Sequence, residues 1–87
     1  MNKDVTIVFV RYYSKDKITK YLKQFNNKFK VVIVENSNDF SLKKFIKRFK
    51  NTKIIFNKKN LGFGASSNIA LKNIKTRLIL FLRNNLY

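Results

Sequence analysis

The sequence predicts an α/β fold, a parallel sheet in the order β-α-β-α-β-α-β with helices on both faces. Three observations lead there. Short apolar runs (VTIVFV, VVIV, KIIF and RLILFL) recur along the chain. Between them lie segments whose apolar residues follow helical spacing. The runs themselves do not alternate polar with apolar, so each strand is expected to be covered on both sides.

The first run, residues 5–10, is rich in β-branched side chains and reads as a strand. RYYSKDKITKYLKQF follows, with Ile18, Tyr21, Leu22 and Phe25 at i, i+3, i+4 and i+7, one face of a helix. Ser14 is its candidate N-cap. VVIV, residues 31–34, is the second strand. ENSNDFSLKKFIKRF repeats the helical spacing through Leu42, Phe45, Ile46 and Phe49, with Asp39 or Ser41 as cap. KIIF, residues 53–56, is the third strand. A glycine-bearing loop then leads into a third helix around residues 65–74, and RLILFL is the fourth strand. Two glycines and no proline leave the turns to Asn, Asp and Ser.

Right-handed crossovers place the C-terminal end of every strand on one edge of the sheet. Ligands of such sheets bind outside that edge, where the strand order reverses. Four segments follow from this rule alone: Arg11-Tyr12-Tyr13, Glu35-Asn36-Ser37, residues 57–64, and Arg83-Asn84-Asn85.

Composition narrows the chemistry. At 87 residues the chain is one domain, and a domain of that size buries only about 60–65% of its unfolded surface. It contains neither cysteine nor histidine, which excludes disulfides, thiolate zinc sites and Ser/His or Cys/His catalysis. No run reaches the ~18 apolar residues of a membrane span, and the N-terminus lacks signal-peptide features. Twenty Lys and Arg against four Asp and Glu give a formal charge of +16. That charge suits a polyanionic partner, either nucleic acid or an anionic membrane surface. An alphabet biased toward Lys, Asn, Ile and Phe produces the same balance with no partner at all.

Three local features carry candidate chemistry. NLGFGASSN turns from loop to helix at Gly62 and Gly64, where backbone amides can face an anion. It lacks the third glycine of a dinucleotide fingerprint and the Gly-Lys-Ser/Thr of a phosphate loop, so a purely structural turn is the competing reading. Glu35 ends the second strand, where a carboxylate can accept from a ribose hydroxyl or a base N–H; a surface glutamate paired with a lysine is the alternative. Tyr12 and Tyr13 either stack on a base or cover the core. The amphipathic stripes of KITKYLKQF and LKKFIKRF suit an anionic membrane, but the sheet also needs both stripes for cover.

VTIVFVRYYS, VVIVENSND, NKKNLGFGASSNIALKN and LILFLRNN, in this order and spacing, resemble the N-terminal half of inverting family-2 glycosyltransferases, most of all the rhamnosyltransferase-like branch. NLGFGASSN is the most specific block, and the similarity spans nearly the whole chain. The resemblance implies a Rossmann-like half of a GT-A fold, truncated, with residues 1–87 forming one nucleotide-sugar-binding portion and the acceptor-binding half absent. It implies a UDP- or dTDP-sugar as ligand and a complementary chain carrying the acceptor half as partner. It further implies nucleotide-sugar contacts from Arg11, Tyr12, Glu35, Asn36, Asn60, Gly62, Asn68 and Arg83.

The sequence departs from the family pattern in two places. The family's Thr-Tyr-Asn is Arg11-Tyr12-Tyr13, and the aspartate that ligates Mg²⁺ or Mn²⁺ after the fourth strand aligns with Asn85. An amide oxygen can ligate such a cation but brings it no charge. Arg83 repels a metal, yet suits a phosphate. Asp4, Asp16 and Asp39 match no base motif of the family, and inverting transfer needs a carboxylate base. The chain alone is therefore expected to be catalytically incomplete. Its expected location is the cytoplasm, with or without peripheral contact to the inner face of the membrane. The rival readings are a small basic protein that binds nucleic acid or an anionic surface, and a non-functional gene fragment.

Overall fold

The computed structural model describes residues 2–11, 15–35, 41–57 and 63–83. Its elements are β1 (Asn2–Arg11), α1 (Lys15–Phe25), β2 (Phe29–Glu35), α2 (Ser41–Ile46), β3 (Thr52–Phe56), α3 (Phe63–Leu71) and β4 (Leu78–Arg83). The alternation is the expected one. Four strands form one sheet in the order β3-β2-β1-β4, and every pairing is parallel.

That order dictates which face each helix takes. The chain steps outward from β1 to β2 to β3, then returns past β1 to β4. With crossover handedness fixed, reversing the direction of travel moves the connecting helix to the opposite face. The packing agrees. Ile18 and Leu22 of α1 and Ile46 of α2 are buried with Ile7, Phe9, Val31 and Ile33. Ala70 of α3 is buried with Val8, Val10, Val32 and Val34. Alternate residues of β1 and β2 thus feed two different cores, which is why neither strand shows a polar face.

The boundaries shift for local reasons. β1 begins at Asn2, three residues before the apolar run, because the Asn2 amide donates to the Lys28 carbonyl at 2.7 Å. The register with β2 slips between Asn2 and Thr6, and within that irregularity the Asp4 amide donates to Asn2 Oδ1 at 2.8 Å. Helix α2 ends at Ile46, yet Phe49 still packs on the same core as the predicted stripe requires. Helix α3 ends at Leu71, short of the expected residue 74. Asn73 terminates it: its backbone amide donates to the Ala70 carbonyl at 2.9 Å and its side-chain amide to the Ile69 carbonyl at 3.0 Å.

A buried polar knot ties α1 to β3. Asn26, in the turn after α1, accepts through Oδ1 from the Asn51 amide (3.2 Å) and the Thr52 hydroxyl (2.9 Å). Its carbonyl accepts from Asn51 Nδ2 at 2.8 Å. Three bonds to one buried asparagine fix where β3 enters the sheet.

The fourth strand differs from the first two. It pairs with β1 on one side and is an edge of the sheet on the other. Leu78 is 62% exposed and Leu80 50%. Both share the face of Ile7 by register, but α1 and α2 cover β1, β2 and β3 and do not reach them.

Candidate functional site

The reversal of strand order lies between β1 and β4, so their C-terminal ends define the crevice. Register gives the sequence of residues across that edge. Arg83 lies beside Val10, Arg11 beside Glu35, and Glu35 beside Phe56. Three of the expected site residues, Arg11, Glu35 and Arg83, are thereby brought to one edge from three different strands. The Asn57 amide donates to the Glu35 carbonyl at 2.9 Å, which extends the edge past the end of β3.

Glu35 is wholly buried, at 0% exposure. The reading of it as a surface glutamate therefore fails. A carboxylate out of water needs hydrogen-bond or charge partners, and Glu35 does engage one. Alternation along β2 places it on the same side as Val31 and Ile33.

Helix α3 leads from the end of β3 to the start of β4, so it runs against the strands and its first turn lies toward the C-terminal edge. It packs on β1 and β2. Ser66, Ser67 and Ala70 are its buried positions. At ~100° per residue, these fall on one side of the helix, and Asn68 falls on the other. Asn68 is indeed exposed, and its backbone carbonyl accepts from the Lys72 amide at 3.4 Å. The expected contact residue Asn68 is thus turned away from the sheet, whereas Ser66 and Ser67, not singled out in the sequence, face it with their hydrogen-bonding capacity engaged. The signal that would have found them is the cluster of small residues at 66, 67 and 70, which permits close approach of helix to sheet.

Tyr12, Asn36, Asn60, Gly62 and Asn85 lie outside the described residues. Among the described residues no three His, Cys, Asp or Glu side chains gather to hold a metal. Asn85 is placed by sequence alone, as an amide oxygen that can ligate a dication but brings it no charge. No described helix is long and apolar enough to cross a membrane.

A parallel sheet that reverses order at β1, with α3 running back from its C-terminal edge, fits many nucleotide-binding proteins. The model of glycosyl transferase family 2 matches residues 2–83, nearly the entire chain. The chain belongs to glycosyl transferase family 2. No curated protein and no solved structure matches it. Membership of glycosyl transferase family 2 implies a nucleotide-sugar donor. The matched span takes in all four strands and all three helices, including the edge carrying Arg11, Glu35 and Arg83.

Proposed function

We propose that this chain is the donor-binding portion of a family-2 glycosyltransferase, which holds a UDP- or dTDP-linked sugar at the β1/β4 crevice and is catalytically incomplete by itself. The observation that carries the reading is the convergence of Arg11, Glu35 and Arg83 on the edge where the strand order reverses. In this reading Glu35 accepts a hydrogen bond from the nucleoside, and its burial means that the chain around it must open for the ligand. Tyr12, Asn36, Asn60, Gly62 and Asn68 are assigned to the same donor by position in the family pattern, with Asn68 the weakest because it faces away from the sheet.

Arg83 contacts the diphosphate directly, a role for which a guanidinium is well shaped. The reading therefore assigns little of the diphosphate's neutralisation to Mg²⁺ or Mn²⁺. The rhamnosyltransferase-like branch is the part of the family that the four motifs together resemble most. Residues that bind the acceptor and activate its hydroxyl belong to other polypeptide, in a complementary chain or segment. The uncovered Leu78 and Leu80 and the free edge of β4 are where such polypeptide would extend the sheet.

Calorimetry with UDP and with dTDP tests the proposal. Saturable binding that persists in EDTA and is lost in Glu35→Ala is expected. Failure of both nucleotides to bind a folded protein sinks it. Asn85→Asp should add an Mn²⁺-dependent increment; if it does not, the alignment at the tip of β4 is wrong.

A further inference from the structure

The opposite edge of the sheet holds a second feature, unconnected with the donor crevice. A cleft of about 330 Å³ opens at the N-terminal ends of β1, β2 and β3, closed on one side by the segment from α3 to β4. Lys30, Lys50, Lys53 and Lys75 line it, and no carboxylate does. All four lysines are exposed. On the face that Lys30 and Lys53 share, its apolar lining is Val32 and Ile74.

The neutral polar groups of the cleft are already committed to its walls. Thr6 and Thr76 share a hydroxyl–hydroxyl bond at 2.7 Å, which joins β1 to the segment before β4. Asn51 and Thr52 are bonded to Asn26. The ammonium groups are the remaining donors. Lys53 donates to Asn73 Oδ1 at 3.3 Å, a neutral partner that leaves its charge uncompensated. Register places Lys53 beside Val32, so Lys30 is its diagonal neighbour on the same face of the adjoining strand, within roughly 7–8 Å by sheet geometry.

Like charges at that spacing repel, and the C-terminal end of α3 offsets only part of the cost. A concave site walled by protein also focuses the potential of such a cluster on the space it encloses. The volume falls within the range of small-molecule pockets.

We infer that this cleft binds a phosphate-bearing small molecule, with the lysines on its phosphate oxygens and its organic part against Ile74 and the edge of Val32. The site is separate from the donor crevice: Thr6 and Arg11 are five residues apart on β1, roughly 16 Å along an extended strand.

The test uses inorganic pyrophosphate and glucose 1-phosphate as probes, followed by backbone NMR and calorimetry. Saturable binding should perturb the amides of Thr6, Lys30, Lys53 and Asn73 and spare those of Glu35 and Asn57. The exposed double substitution Lys30→Gln/Lys53→Gln should leave the fold unchanged by circular dichroism and weaken both probes by about tenfold or more, since each ammonium makes a charge-assisted bond. Glu35→Ala should leave binding intact. Glucose 1-phosphate binding no more tightly than inorganic phosphate would remove the apolar lining from the recognition and overturn the inference. So would perturbations confined to the C-terminal edge, or affinity that survives the double substitution. Lysine-dependent sedimentation with phosphatidylglycerol vesicles, without saturation by either soluble probe, would replace the small molecule with a membrane surface and overturn it as well.

Discussion

The two faces of the sheet are packed by different means. Under α1 and α2 an aliphatic core around Phe9 is rimmed by rings: Phe9 stacks on Tyr21 with ring centroids 5.1 Å apart, Tyr21 on Phe25 at 6.2 Å, and Phe25 meets Phe29 edge-on at 6.2 Å. Phe45 and Phe49 add a second pair at 5.3 Å. Under α3 the buried residues are valines from the sheet and a single alanine from the helix, with Ser66 and Ser67 beside it. The first face fills its space with large rings. The second closes it by bringing a helix of small residues near. Large residues hold a surface helix at a distance, whereas small ones let it approach closely, so one face is closed by volume and the other by proximity, and Glu35 lies on the first of them.

Four substitutions break or sharpen this contrast. Phe9→Ala should have the largest effect. It empties the centre of the aromatic face, and buried Phe→Ala changes cost about 3–5 kcal/mol. That is a large share of the roughly 5–10 kcal/mol expected for a domain of this length. Urea denaturation followed by circular dichroism should show a midpoint well below that of the parent chain; a shift below about 1 kcal/mol would mean that the ring is not central.

Ala70→Leu comes next and tests the other face. With α3 held close to Val8, Val10, Val32 and Val34, the added carbons should overpack it at about 1–3 kcal/mol. A neutral or stabilising result in the same denaturation assay would show that α3 stands off the sheet.

Tyr21→Leu should cost less, about 1 kcal/mol, because it removes the stacking with Phe9 and Phe25 but keeps much of the apolar cover. Thermal melts of this variant and of Phe9→Leu would separate ring stacking from volume. Smallest of all should be Leu80→Lys, within about 0.5 kcal/mol, since Leu80 is already half in water. Its effect should appear in sedimentation, where a charge on the free β4 edge lowers self-association. Unchanged sedimentation would show that this edge does not mediate contact in the isolated chain.

The legible parts of the fold were those written in local periodicity. The α1 stripe of Ile18, Tyr21, Leu22 and Phe25 packs where its spacing puts it. VTIVFV and VVIV are the two inner strands, buried on both faces as unbroken apolar runs should be. RLILFL is a comparably apolar run, yet its leucines at 78 and 80 lie half or more in solvent. An apolar run reports that a strand is compatible with burial, and only the neighbours available in three dimensions determine whether it is buried. The edge that carries Arg11, Glu35 and Arg83 was legible, because strand ends follow from topology. The state of its members was not. The surface reading of Glu35 gives way to an enclosed residue, and Asn68 points away from the sheet.

By itself, the sequence determined the order of elements, the parallel character of the sheet and the family, because each depends on spacing along the chain. Tertiary structure alone decided the rest. It left one face of β4 uncovered at Leu78 and Leu80, because α1 and α2 cover the three other strands. It placed Arg11 beside Glu35, residues 24 positions apart in the chain, through the register of β1 on β2. It also drew Lys30, Lys53 and Lys75 around one cleft, although they are scattered through the sequence. Contacts between distant residues depend on how strands and helices are stacked, and no local pattern in an 87-residue chain records that.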